Sequence, residues 1–349
     1  MDRVTCLVTG ATGFLGGHLA AVLLEAGANV RAYVRPGSET RALAARGVSV
    51  VRGEASDRVA IRDAAAGCDF VFHAAGYLTA NAPFAAEQDA PAKEAATEWA
   101  LYQAVNVDFT AALLAASSAA GVARFLFISS SSVYAPDVAV PTPETAPQRP
   151  ISAYGRSKLL AEEAVRAAQA KGLSTTIVRP PVAYGPGDRM FTPLALRLAR
   201  LPLLPLVNGG RSLMDLVFAR DVAELLWCAA RHPMADGRVY NAGPGRPTSL
   251  AGLVEAYRRL TGSGPRIVSV SPAMAGRTAR LARLLVAPLL PEVNAAFSNQ
   301  GLSLMAQDLH LAMDLAAAEL DFRPRFDLEN GLHATLAALE KAKQVRLGR

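Results

Sequence analysis

The segment "LVTGATGFLG", Leu7 to Gly16, places three glycines at intervals of three between an apolar run and the stretch "FLGGHLAAVLLEAG", whose apolar positions recur at helical spacing. Glycine at Gly10, Gly13 and Gly16 suits a strand that turns directly into a helix, with something approaching the backbone closely. The runs "NVRAYVR", "VSVVRG", "DFVFHAAG" and "RFLFISS" follow, each ending at glycine or a polar turn, and "STTIVRP" comes later. Short apolar runs of this kind read as buried parallel strands, and their alternation with helical patterns implies a doubly wound sheet. The fold class expected is therefore α/β, a Rossmann-type doubly wound parallel sheet.

In that setting Gly10 permits the tight turn, Gly13 lets a pyrophosphate reach the backbone, and Gly16 lets helix and strand pack closely. The amides that open the helix favour the anion. A helix whose glycines merely serve packing is the plainer reading, but the strand before the turn and the alternation after it favour a dinucleotide. Residues 1–180 are expected to form the dinucleotide-binding domain. Beyond them Pro180, Pro181, Pro186, Pro193, Pro202 and Pro205 break the alternation, so residues 181–349 are expected to form mainly a smaller C-terminal substrate-binding region, with segments returning to the sheet.

The end of the second strand selects the dinucleotide, because an acid there accepts hydrogen bonds from the ribose 2'-hydroxyl of NAD. This chain has "AYVRPGS" instead. Arg35 is placed to pair with a 2'-phosphate, with Arg41 or Ser38 assisting, so NADP is expected ahead of NAD. The alternative is an arginine simply solvated beyond its strand.

"ISAYGRSKLLAEEAV", Ile151 to Val165, reads as a helix on which Tyr154 and Lys158, four apart, share one face. A lysine ammonium beside a phenol, together with the positive nicotinamide, is expected to lower the tyrosine's pKa and make it a general acid or base. The run "FISSSSVYAP", Phe127 to Pro136, supplies hydroxyls at the end of a strand, where open α/β sheets bind ligands. By chemistry alone its four serines are not distinguished.

Taken in order, "TGATGFLG", "HAAG", the "NV" at Asn106, "SSSSVY" and "YGRSK" resemble the extended short-chain dehydrogenase/reductase family over nearly the whole chain. The resemblance implies a catalytic set of Ser130, Tyr154 and Lys158, with Ser129 and Ser131 as neighbouring choices. It implies cofactor contacts at Gly10, Thr12, Gly13, Phe14, Leu15, Arg35, Glu54, Ala55, Ala74, Ala75, Gly76, Asn106, Pro181 and Val182, besides Tyr154 and Lys158. Asn106 is implied to help fix the active-site strands, and Glu54 stands where the family usually has Asp. Ser131 and Ser132 replace the Asp-Glu pair of the family's dehydratases, and Met214 replaces an arginine that grips nucleotide diphosphates. The pattern is similar to the branch of 3β-hydroxysteroid dehydrogenases and ketone reductases, including β-keto acid and flavonoid ketone reductases. Asp221 matches a position read as structural, capping a helix.

The expected activity is hydride transfer between a nicotinamide and a ketone or secondary alcohol on a largely apolar small molecule. A nucleotide-sugar epimerase with tightly held NAD is the second reading, and a non-catalytic dinucleotide sensor the third. The 36 basic and 30 acidic residues are dispersed, which argues against nucleic acid despite a net charge of +6. Three cysteines far apart suit a reducing compartment, no metal site is read from five scattered histidines, and a cytoplasmic location is expected. "AGRTARLARLLVAPLLPEV", Ala275 to Val293, is open to three readings: core packing, a lid over an apolar substrate, or an interfacial membrane helix. A homodimer is expected by analogy with the family alone.

Overall fold

The structure is a computed structural model that describes residues 3–78, 92–271 and 307–347. The segment 275–293 lies outside the described residues. In chain order the strands are β1 (Thr5–Thr9), β2 (Asn29–Val34), β3 (Ser49–Arg52), β4 (Phe70–His73), β5 (Arg124–Ile128), β6 (Thr175–Arg179), β7 (Val182–Tyr184), β8 (Leu203–Val207), β9 (Leu213–Met214), β10 (Leu216–Phe218), β11 (Arg238–Asn241), β12 (Thr248–Ser249) and β13 (Arg266–Val270). The helices are α1 (Phe14–Glu25), α2 (Arg41–Ala44), α3 (Arg58–Ala65), α4 (Ala92–Tyr102), α5 (Phe109–Ala119), α6 (Ala153–Ala170), α7 (Phe191–Leu198), α8 (Ala219–Arg231), α9 (Leu250–Thr261), α10 (Asp314–Leu320) and α11 (Leu328–Leu347).

Seven strands form one parallel sheet in the order β11-β6-β5-β4-β1-β2-β3. The order reverses between β1 and β4, which opens a crevice at their carboxyl ends, where Thr9 pairs with His73. Alternation along β1 explains the layering. Cys6 and Val8 join α1, α8 and α10 on one face, through Leu19, Leu23, Leu225 and Leu320. Leu7 joins α3, α5 and α6 on the other, through Ile61, Leu113 and Val165.

Beyond residue 180 the described residues form three two-stranded sheets, pairing β10 with β7, β12 with β9 and β13 with β8, while β11 returns to extend the main sheet. The segment "LPLLPLV" contributes β8, with Leu204 and Leu206 buried and Leu203 exposed. No helix among the described residues is long and apolar enough to cross a membrane.

Candidate active site

The three glycines of the first turn do different work. Gly10 has φ of 73°, and a Cβ there would lie 2.7 Å from the Ala75 amide nitrogen and 2.8 Å from the Ala74 carbonyl carbon. The turn thus presses against the exit of β4. A Cβ at Gly16 would stand 2.2 Å from the Gly10 carbonyl oxygen, so this glycine seats α1 on the turn. Gly13 is exposed, and among the described residues its close neighbour is that same oxygen, at 3.1 Å. It caps α1 without a side-chain hydrogen bond, leaving the first helical amides to an anion, and exposed Thr12 stands beside it. A pyrophosphate fits this cradle. Phe14 and Leu15, both half-buried, begin the helix.

Beneath the crevice runs a closed chain of hydrogen bonds. Thr110 Oγ1 donates to the Asn106 carbonyl at 2.7 Å, so it accepts from His73 Nε2 at 2.9 Å. His73 Nδ1 then accepts from Thr9 Oγ1 at 2.7 Å, and Thr9 in turn accepts from the Ala75 amide at 3.2 Å. Burial, with Lys158 nearby, holds His73 neutral by pushing its pKa down to about 3. The imidazole is a strut between the glycine turn and Asn106.

Asn106 lies in a π-helical turn, Gln103–Asp108. Its side-chain oxygen accepts from the Tyr77 amide at 2.7 Å, and its amide group donates to the Tyr77 carbonyl at 3.1 Å and to Ser157 Oγ at 2.9 Å. It therefore fastens the segment after β4 to α6. Between them Gly76 is exposed, and a Cβ on it would approach both Asn106 Oδ1 and Lys158 Nζ to 3.5 Å.

Arg35 follows β2 and is exposed. Ser38 and Arg41 enter through their backbones: the Ser38 carbonyl accepts from Arg52 at 3.1 Å, and the Arg41 amide donates to Glu39 at 2.8 Å. Arg52, which also donates to Thr40 Oγ1 at 2.8 Å, was not legible as a contributor because it arrives from β3. Tyr33 donates to the Glu54 carbonyl at 2.7 Å, which fixes the Gly53–Ala55 bend and leaves the Glu54 side chain exposed.

Ser130 is the serine beside Tyr154, and its hydroxyl favours the phenolate against the upward push of burial; its Oγ donates to Ser132 Oγ at 3.1 Å. Ser130 Oγ also accepts from the Ser132 amide at 3.1 Å, which holds the 3-10 turn Ser131–Val133 behind it. Ser129 turns the other way and donates to Glu162 at 2.5 Å, while the Ser131 amide donates to the Pro180 carbonyl at 2.9 Å. Helix α6 starts at Ala153, capped by Ser152, whose hydroxyl accepts from the Gly155 amide at 3.1 Å. Gly155 brings the helix against the serine turn: a Cβ there would fall 2.3 Å from the Ser132 carbonyl oxygen.

The expected acidification of Tyr154 by Lys158 is absent from the protein alone. Burial pushes the phenol up to about 12, with the neighbouring Ser130 hydroxyl opposing it. Lys158 points instead at the strand end, where Nζ donates to the Ile128 carbonyl at 2.7 Å and lies 4.7 Å from the centre of the Phe127 ring. Burial brings this ammonium down to about 8 against the pull of Glu162.

On the outer side Pro181 is half-buried and Val182 exposed. His18 of α1 donates through Nε2 to the Pro186 carbonyl at 2.8 Å, joining the loop after β7 to that helix. Met214, half-buried, precedes Asp215, which accepts from His310 Nδ1 at 2.9 Å and the Leu311 amide at 2.7 Å. Asp221 does not cap its own helix. Its carboxylate accepts from the Arg325 and Phe326 amides at 2.9 and 3.1 Å, tying a distant loop to α8, because its place in the first turn directs it outward from the helix start.

A family model for the NAD dependent epimerase/dehydratase family matches residues 6–243. A 4-hydroxy-2-methyl-3-oxo-4-farnesyl-3,4-dihydroquinoline-1-oxide ketoreductase of Stigmatella aurantiaca is 29% identical over 331 residues, covering 94% of each chain. A 2-alkyl-3-oxoalkanoate reductase of Stenotrophomonas maltophilia is also 29% identical, over 95% of this chain and 98% of its own. Among solved structures, MoeE5 in complex with UDP-glucuronic acid and NAD superimposes with a TM-score of 0.73 at 26% identity, over 97% of this chain and 99% of that one.

Proposed function

The chain belongs to the NAD dependent epimerase/dehydratase family and is an NAD(P)-dependent dehydrogenase/reductase, and from that premise we propose that it uses NADP to reduce a ketone on a largely apolar molecule. The observation that carries this reading is the placing of Ser130, just past the end of β5, beside Tyr154 of α6, with Lys158 one turn further along that helix. Gly13 and the start of α1 receive the pyrophosphate, Arg35 the 2'-phosphate, and Lys158 with Asn106 the nicotinamide end. NADPH, when bound, supplies the hydride.

The protein's own task is to hold one oxygen and deliver one proton. The Ser130 and Tyr154 hydroxyls both address the substrate carbonyl oxygen, polarising it, and Tyr154 Oη gives up its proton as the alkoxide develops. Burial keeps this phenol protonated at neutral pH, the form that reduction requires. As the phenolate forms, the nearby Lys158 ammonium offsets its charge.

Substrate class rests on the names of the two reductase relatives, which act on a farnesylated quinoline oxide and on alkyl oxoalkanoates. Met214 supports it by presenting no cation to a diphosphate, and Ser131 and Ser132 supply no acid-base pair for removing water. Epimerisation of a nucleotide sugar is the second reading, favoured by the likeness to MoeE5 with its UDP-sugar and NAD. Oxidation of NADPH and NADH is followed against steroid, β-keto acid, flavonoid and aliphatic ketones. Turnover with NADPH and an apolar ketone is expected; turnover of none of them, with NAD retained through purification, would overturn the proposal.

A further inference from the structure

Lys158 has a carboxylate one helical turn behind it. Glu162 is fully buried on α6 and bound from three sides: by Ser129 Oγ at 2.5 Å, by Arg179 through Nε at 2.8 Å and Nη2 at 2.6 Å, and by Arg166 at 2.7 Å. Ser129 follows β5 and Arg179 ends β6. One side chain therefore fastens the helix that carries Tyr154 and Lys158 to the two strand ends beside Ser130.

We propose that Glu162 is a positioning residue, a buried counter-charge that keeps Lys158 an ammonium while it anchors Ser129 and thereby presents Ser130 to Tyr154. The roles of Ser130 and Tyr154 rest on the reductase reading; the charge on Lys158 concerns the free protein and does not.

The surroundings of the lysine leave this role to Glu162. Beneath the ammonium are the Phe127 ring and, in ring contact with it at 5.7 Å, the neutral His73 of β4. The Ile128 carbonyl of β5 accepts one proton, and Asn106 approaches from the π-helical turn with an uncharged amide. Tyr154, one turn earlier, is a protonated phenol. The nearby cations, Arg179 of β6 and Arg166 of α6, bind Glu162 and disfavour a further charge. Burial also works against the ammonium, so without an anion the lysine loses its proton more readily. Among the described residues Glu162 is the group that raises its affinity for that proton.

The chain has five lysines, so protein carrying 13C at lysine Cε yields few enough signals for Lys158 to be identified by its loss in Lys158→Arg. Without ligand the wild-type signal is expected to titrate near pH 8. In Glu162→Gln, which removes the negative charge and keeps the side chain's shape, the midpoint should fall by about one pH unit or more. An unchanged midpoint in the folded variant would show that the carboxylate serves Arg179 alone and would overturn the proposal. Should that variant not fold, wild-type protein labelled at the glutamate carboxyl carbons decides: the Glu162 signal should follow the Lys158 midpoint, and a flat trace there also overturns it. Both titrations are readable if no ketone is ever reduced, so failure of the reductase reading is a separate result.

Discussion

Two neighbouring glycines at the start of α1 should respond to the same substitution in opposite directions. At Gly16 an added Cβ meets the Gly10 carbonyl oxygen at 2.2 Å and its carbon at 2.5 Å, whereas carbon contacts settle near about 3.5 Å. Both obstacles are backbone, so α1 must retreat by roughly 1 Å, against the packing of fully buried Leu19, Ala20 and Leu23. Such overpacking costs about 1–3 kcal/mol. At Gly17 the nearest atom is the Ala11 carbonyl oxygen at 3.5 Å, an ordinary contact. Alanine there adds up to about 1 kcal/mol of helix propensity. Because the propensity gain applies at both positions, Gly16→Ala should lie about 1–3 kcal/mol below Gly17→Ala in urea unfolding. It should also weaken NADPH binding, followed by nicotinamide fluorescence, because the retreat carries Gly13 with it. Equal unfolding midpoints and equal NADPH affinities would refute the close-packing role of Gly16.

Three further outcomes test other parts of the site. Because His73 is held neutral down to about pH 3 but titrates near 6.5 when unfolded, its burial stabilises the fold above pH 6.5, and that contribution is lost as pH falls toward 3. His73→Gln should flatten the fall in unfolding free energy by about 1.4 kcal/mol per pH unit between pH 6 and 4, and parallel slopes would remove the strut from the account. Arg35→Ala should weaken NADPH roughly 10- to 100-fold by direct titration while sparing NADH, the scale of a charge-assisted phosphate contact; equal losses for both cofactors would discharge Arg35 from that role. Gly155→Ala, whose Cβ would meet the Ser132 carbonyl oxygen at 2.3 Å, should reduce ketone turnover far more than NADPH affinity, since it displaces the serine turn from α6.

The elements legible in the sequence were those whose signal is local. Strand β1, the glycine turn and α1 occupy consecutive residues, and the spacing of Tyr154 and Lys158 is a property of one helix. Side chains that act across the sheet left no such trace. Glu162 looks like an exposed helical acid until Arg179 and Ser129 close on it from two strands. His73 is one letter in "HAAG" until Thr9 and Thr110, far apart in the chain, take its two nitrogens. Asp221 suggests a local cap, yet its partners are 104 and 105 residues away. The tyrosine illustrates the same limit in its electrostatics: spacing shows that a lysine is near, but the desolvation that raises the phenol is set by the whole fold.

The most direct test follows a deuterium. NADPH deuterated at the transferable nicotinamide position is incubated with the best apolar ketone and either wild-type protein or Tyr154→Phe, and the alcohol is weighed by mass spectrometry while NADPH binding is titrated separately. The expected result is one deuterium per alcohol in the wild type, with turnover at least about 100-fold lower in the variant and its NADPH affinity kept. Wild-type turnover by Tyr154→Phe, or a UDP-sugar interconverted with no net use of NADPH while every ketone is left untouched, would contradict it.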